Sequence, residues 1–388
     1  MSYLLDKDVD VWVREKAELF AYSDGTEVEK RLLRAVQSSA DRSVFSSELQ
    51  EHIIDWASEY HFSKSRHCLL RPLGIQPGDK VLELGCGCGA LTRYLGELGA
   101  SVVAVEGSIH RAAIASARCS DLDNVAVYCD DLTQFECGEK FDWVLLIGVA
   151  EYAPVFCDAE DPVKVYLESA SAHAAVSGSV VVAIENQLGL KYLNGCKEDH
   201  LGEEFFGVQD FYGAGTPVTF GRLELEGKLR ALGFESLNLY YPFPDYKVPN
   251  VIVADSALAN EQFRVSDLLV GAQARDYAGS RLRSFDEGLV YPVLERNHLI
   301  GDLSNSFLMV ASNAPEENGD KAFLAASYAV NRAADFVTET RFLDSAESGI
   351  VVKKYCLVNN CSDNPSYDLG ANILTHKVYH SPYIIGRQ

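Results

Sequence analysis

Residues 82–95 read LELGCGCGALTRYL, with glycines at 85, 87 and 89 and cysteines at 86 and 88. In a strand–turn–helix, glycines let the backbone turn sharply and let a ligand approach with no Cβ in the way. Gly85, Gly87 and Ala90 fit the dinucleotide spacing G-x-G-x-x-G/A, so the turn alone does not choose between cofactors. Cys86 and Cys88 have no second Cys or His pair at ligand spacing, and they read as small fillers of a tight turn rather than a metal site.

Outward from this turn, short apolar runs alternate with helical stretches. KVLELG, SVVAVEG, VAVYCDD, FDWVLLIGV and GSVVVAIEN are five strand candidates, separated by amphipathic segments such as ALTRYLGELG and HRAAIASARCSDL. Strands that are apolar throughout and alternate with helices predict an α/β fold, a mostly parallel sheet covered on both faces. Residues 1–75 carry apolar side chains at three- and four-residue spacing, as in SELQEHIIDWASEY, and read as a helical N-terminal extension and lid. The main domain is expected over 76–313, with inserts at 186–221 and 247–300 that read as binding loops. Residues 314–388 read as a small β-containing appendage with a hairpin around SAESG, or as the start of a further domain.

The chain has 388 residues, of which 34 are Lys or Arg and 56 are Asp or Glu, giving a net charge of -22. Such a surface repels phosphate backbones and argues against a nucleic-acid partner. No apolar run approaches a membrane span, and the start, MSYLLDKDVDVWVREK, is charged too early for a signal peptide. Ten scattered cysteines suit a reducing compartment, so a cytoplasmic location is expected.

Three acids narrow the cofactor. Glu106 ends the second strand about 20 positions beyond Gly85, where an acid accepts hydrogen bonds from ribose hydroxyls. Asp130 and Asp131 end the third strand, where they either receive an adenine amino group or act as a helix-capping acid pair. Glu83 lies inside an apolar strand, so its charge needs a reason. A carboxylate beside a pyrophosphate is unfavourable, whereas an ammonium and a sulfonium favour it. The alternative is an ion pair with a basic group such as Arg93. S-adenosylmethionine therefore fits better than NAD.

In order and interval, VLELGCGCGALTRYL, VVAVEGS, YCDDL and FDWVLLIGVAEYA resemble the motifs of the class I S-adenosylmethionine-dependent methyltransferases over about residues 60–190. The resemblance implies a Rossmann-like, seven-stranded sheet with S-adenosylmethionine as cofactor and S-adenosylhomocysteine as product. It places Glu83, Gly85, Cys86, Gly87 and Gly89 at the methionine end. Glu106, Gly107 and Ser108 would serve the ribose, Asp130 and Asp131 the adenine, and Ile147, Gly148 and Tyr152 the edge of the fourth strand. Tyr60 and Arg66, in EYHFSKSRHCLLRPL, would come from a covering helix, with Arg66 able to pair with the methionine carboxylate. The (N/D)PPY motif of nucleic-acid amino-methylating enzymes is absent, and IGVAEYAP stands in its place. IENQLGLKYLNGCKEDH and LYYPFPDYKVPNVIVAD are similar to methyltransferase modules of bacterial surface-polysaccharide and glycosyltransferase systems. That similarity leaves open a homodimer or a fusion to further glycan-biosynthesis domains.

In an open α/β sheet the ligand crevice lies beyond the carboxyl ends of the strands. Glu151, Tyr152, Glu185 and Asn186 fall there, and His200 is the only histidine of the first insert. His200 is the expected general base, with Glu185 as runner-up. The resulting expectation is an O-methyltransferase acting on a small-molecule or glycan acceptor. A non-catalytic S-adenosylmethionine-binding module and an NAD-dependent oxidoreductase are the competing readings.

Overall fold

A computed structural model describes residues 3–15, 25–277, 279, 281–313, 323–358 and 367–368. Fourteen strands form one sheet. In chain order they are β1 (Tyr3–Asp6), β2 (Val11–Arg14), β3 (Lys80–Leu84), β4 (Ser101–Glu106), β5 (Val125–Cys129), β6 (Phe141–Ile147) and β7 (Ala174–Glu185). They continue as β8 (Ser236–Phe243), β9 (Val251–Ala254), β10 (Ser306–Ser312), β11 (Phe323–Ala329), β12 (Thr338–Ser345), β13 (Gly349–Cys356) and β14 (Tyr367–Asp368).

At the centre the order is β5-β4-β3-β6-β7-β10-β8. The strands β5, β4, β3, β6 and β7 run parallel, and β10 lies antiparallel between β7 and β8. The five apolar runs singled out in the sequence supply the parallel strands. Their side chains are buried on both faces: Val81, Leu82, Val105, Val144, Leu145, Leu146, Val181 and Val182 have almost no exposure. Crossover helices Ala90–Leu98, Ile109–Cys119 and Pro162–His173 link them. All the parallel strands end at the same edge, which places Glu83, Glu106, Ile147 and Glu185 around one crevice.

Two regions differ from the sequence expectation. The N-terminal extension opens with strands, not helix: β1 and β2 pair antiparallel, and β2 adds parallel to β5. Val9, Val11 and Val13 alternate with Asp10, Trp12 and Arg14, a period-two pattern that buries Val11 and leaves Trp12 partly exposed. Helices Thr26–Ser38, Ser47–Glu51 and Trp56–Phe62 follow. At the other edge, β12 and β13 form the hairpin around SAESG. It is not a separate piece, because β11 pairs with β9 and carries the same sheet onward. The remainder of 359–388, apart from β14, lies outside the described residues, and with it most of the proposed start of a further domain. Among the described residues no helix is long and apolar enough to cross a membrane.

Candidate active site

The glycine turn follows β3 directly. Gly87 has φ +56, and a Cβ there would sit 2.9 Å from the Arg111 guanidinium. Gly89, at φ +76, caps helix Ala90–Leu98, and a Cβ would meet the Ala115 Cα at 2.8 Å. The turn therefore lies against helix Ile109–Cys119 and leaves open space on its other side. That space is a cavity of about 240 Å³. Gly85, Cys86 and Gly87 line it, whereas Gly89 serves the packing behind it. Burial pushes the Cys86 thiol well above its ordinary pKa and keeps it protonated.

Glu83 faces the cavity from the end of β3 and is 3% exposed. Its carboxylate accepts one hydrogen bond from the Thr92 hydroxyl, at 2.6 Å. Arg93 is engaged elsewhere, by Glu97 and Asp121. Burial raises the Glu83 carboxyl from 4.5 to about 7, with Thr92 and the more distant Arg66 opposing and Glu106 adding. A buried acid in this state gains from any cation brought beside it.

At the end of β4, Glu106 lines the cavity and accepts from the backbone N–H of Gly87 at 2.8 Å and of Ser108 at 3.0 Å. Gly107 shares the wall, while Ser108 acts from behind through its backbone. The acids after β5 sit differently. Asp130 is tied into the N-terminal hairpin: Tyr3 donates its hydroxyl at 2.5 Å, and Arg14 adds an Nε bond at 3.0 Å and a close Nη2 contact. Asp131 accepts from the backbone N–H and hydroxyl of Thr133 at 2.8 and 2.7 Å, closing a turn that no helix follows before β6. The cavity wall in this region is formed by Leu132 instead.

Helix Trp56–Phe62 and the turn after it close the cavity from above. Arg66 is buried, donating to the Tyr246 and Lys247 carbonyls at 3.0 and 3.3 Å and to the Tyr60 hydroxyl at 2.9 Å. Its guanidinium lies 4.7 Å from the Tyr60 ring centroid. Trp56 stacks on Tyr277 with centroids 3.9 Å apart, and Arg275 bridges to Glu59 at 2.9 Å. The cover is thus latched to the second insert.

At the far end, side chains distant in sequence converge. Ile147, the last residue of β6, and Gly148 and Tyr152 after it lie along the wall. Glu151 lines the same wall, is fully buried, and has neither carboxylate oxygen hydrogen-bonded. Burial, with Glu185 adding and His200 opposing, raises its carboxyl from 4.5 to about 8. His200 approaches Tyr152 through Nδ1 at 3.0 Å and Glu185 through Nε2 at 3.5 Å. Burial would lower its pKa, but Glu185, Glu151 and Glu198 outweigh this and raise it from 6.5 to about 9. Behind them Lys247 pairs closely with Glu185 and bonds Asp199 at 2.6 Å, while Lys191 bonds Asp199 and Asp245 at 2.7 and 2.6 Å. Against the opposing effect of burial, Lys247, His200 and Lys191 hold the Glu185 carboxyl well below its ordinary range.

His200 and Glu185, nominated from sequence, therefore meet in one cluster. Asp199 and Lys247, which the sequence reading passed over, line the cavity beside it. The signal for Asp199 lay next to His200 in KEDH. Lys247 had none, since only the order of β7, β10 and β8 brings it near Glu185.

The sheet order, with one antiparallel strand inserted before the last, and the glycine turn at the carboxyl end of β3 define a Rossmann-like, class I methyltransferase fold. Residues 81–172 match the methyltransferase domain family, so the chain carries an S-adenosylmethionine-dependent methyltransferase domain, with S-adenosylmethionine as its cofactor. Over 120 residues the chain is 31% identical to a ubiquinone biosynthesis O-methyltransferase of Bradyrhizobium diazoefficiens, covering 30% of this chain and 44% of that protein. Over 179 residues it is 27% identical to a sterol 24-C-methyltransferase of Schizosaccharomyces pombe, covering 40% of this chain and 47% of that protein. A SAM-dependent methyltransferase structure from Archaeoglobus fulgidus aligns at 14% identity with a TM-score of 0.40, covering 66% of this chain and 97% of that one. The chain spans less than half the length of these curated relatives.

Proposed function

We propose that this chain transfers the methyl group of S-adenosylmethionine to a hydroxyl of a small-molecule or glycan acceptor, within cytoplasmic glycan assembly. The observation that carries the transfer step is that Glu151 and His200, with Glu185 behind His200, line the cavity that also holds the glycine turn.

The cofactor supplies a methyl group on a sulfonium, and its departure leaves a neutral thioether. Glu83 suits the methionine ammonium, being a buried acid without a counter-ion bonded to it. Glu106, fixed by two backbone N–H groups, keeps lone pairs for ribose hydroxyls. Arg66 and Tyr60 form the cover, with Cys86, Gly107, Ile147 and Gly148 in the walls. Asp130 and Asp131 are left out of this assignment, because hairpin and turn bonds occupy them.

At the acceptor end, His200 and Glu151 hold protons up to about 9 and about 8. A cation entering the cavity lowers both, since positive charge disfavours the protonated form of each. The cluster is thereby converted into a proton acceptor by the charge of the ligand it serves. A hydroxyl placed there loses its proton to the cluster as its oxygen takes the methyl carbon. Aligning acceptor and methyl supplies much of the rate, and a positioned base about 10²–10⁴-fold more.

The test combines calorimetry with S-adenosylhomocysteine and a methyl-transfer screen of hydroxyl acceptors, sugars included. His200→Asn is expected to keep S-adenosylhomocysteine binding and lose about 10²-fold or more in turnover. Binding without turnover on any acceptor in the wild-type protein would favour a cofactor-binding module over an enzyme.

A further inference from the structure

Four buried polar atoms at the acceptor end make no close hydrogen bond among the described residues. They are both carboxylate oxygens of Glu151, Oε2 of Glu185 and Nε2 of His200. Oε2 of Glu185 and Nε2 of His200 lie 3.5 Å apart and face each other, but Glu151 is fully buried with neither oxygen met among the described residues, and a buried carboxylate left bare beside that pair calls for an occupant. One ligand atom from each of the three residues lies within 4.8 Å of the others.

Their other atoms are already held in the way ligand side chains are held. Lys247 grips Oε1 of Glu185 and leaves Oε2 3.5 Å from Nε2 of His200. Tyr152 meets Nδ1 of His200 at 3.0 Å, and with the proton on Nδ1 the Nε2 lone pair faces the carboxylates. The surrounding charge points the same way. Among the described residues Glu185, Asp199 and Asp245 share two ammonium groups, Lys191 and Lys247, and Glu151 and Glu198 add further acid to the same cluster.

We propose that Glu151, Glu185 and His200 bind a divalent cation at the acceptor end of the cavity. Two carboxylates and an imidazole suit Mn²⁺, Fe²⁺ or Zn²⁺ rather than thiolate-seeking metals. Three protein ligands leave coordination positions open toward the cavity, as catalytic rather than structural metal sites do. The cation would take an acceptor hydroxyl, or an adjacent pair of hydroxyls, and make it acidic. This rests on the reading of the cluster as the acceptor end, and it replaces direct proton abstraction with metal-assisted ionisation.

The experiment uses the full chain, treated with a chelator and dialysed into metal-free buffer. MnCl₂ and ZnCl₂ are titrated by calorimetry, Mn²⁺ uptake is followed by electron paramagnetic resonance, and S-adenosylhomocysteine binding is measured in parallel. About one equivalent of metal per chain is expected, and Glu151→Gln and His200→Asn should each weaken it at least tenfold while sparing S-adenosylhomocysteine. Uptake well below one equivalent in the wild-type protein overturns the proposal whatever the variants do. So does unchanged metal affinity in both variants. S-adenosylhomocysteine binding without metal uptake, together with loss of turnover in His200→Asn, would leave the methyltransferase reading standing with the cluster as a direct base. Metal uptake without S-adenosylhomocysteine binding would separate the two claims in the opposite sense.

Discussion

Glu83→Gln separates the stability of this fold from its ligand binding. The Glu83 carboxyl is displaced from 4.5 to about 7 by burial, so the folded chain holds a proton that the unfolded chain releases. Stability is therefore unpenalised below about 4.5 and falls as pH rises toward 7, because the folded state binds more protons across that window. Integrating the difference gives a penalty of roughly 1 kcal/mol at pH 5 and roughly 3 kcal/mol at pH 8. Glutamine retains an oxygen for the Thr92 hydroxyl and removes the ionisation. The ligand-free variant should thus be more stable than wild type at pH 8, with a smaller advantage at pH 5. Its affinity for S-adenosylhomocysteine should fall about ten- to a hundredfold, through loss of a charge-assisted bond to the ammonium. Urea denaturation at both pH values and calorimetry at pH 8 measure these quantities. A stability loss at pH 8, or an equal gain at both pH values, would refute the argument by showing that Glu83 is ionised and paired before any ligand arrives.

Other side chains carry expectations of different kinds. Arg14→Ala strips the counter-ion from Asp130, whose side chain is 1% exposed, and should cost about 3 kcal/mol in urea denaturation. Gly89→Ala places a Cβ 2.8 Å from the Ala115 backbone at φ +76, so a loss of about 1–3 kcal/mol is expected by the same assay. Arg66→Lys cannot bridge the Tyr246 and Lys247 carbonyls and the Tyr60 hydroxyl at once. It should weaken S-adenosylhomocysteine binding about tenfold in calorimetry while leaving the melting transition nearly unchanged, since a planar fork is not replaced by an ammonium.

The parallel core was legible because β3 to β7 are apolar runs, with helices in every connection but that from β5 to β6, a pattern with few other solutions. The glycine-turn side of the cavity was legible for a local reason: Glu83, Gly85 and Gly87 fall on alternate positions of one strand end and turn, and Glu106 ends the adjacent strand. Asp130 had two open readings because the deciding partner, Arg14, lies 116 residues away. The first hairpin was lost to a period error: helix-like spacing beyond residue 26 drew attention from the alternation at Val9, Val11 and Val13. The acceptor end was legible only as a set of candidates. His200 and Glu185 could be named one by one, but Lys247 reaches Glu185 across 62 residues, and nothing local in PFPDYKVPN marks it.

That distribution bears on what may be transferred from the relatives. The family match ends at residue 172, so it includes Glu151 but neither Glu185, His200 nor Lys247. The glycine turn, Glu83, Glu106 and Glu151 thus lie inside the matched segment, whereas Tyr60, Arg66, Glu185, His200 and Lys247 lie outside it. Around Glu185 the charges depend on one another: Lys191 and Lys247 compensate Asp199, Asp245 and Glu185, and Glu185 in turn sets the proton affinity of His200. Removing Lys247 would leave the buried Glu185 carboxylate without its lysine, at a cost of about 3–5 kcal/mol. The sterol and ubiquinone relatives therefore say little about this cluster, because Glu185, His200 and Lys247 all lie beyond the matched family segment.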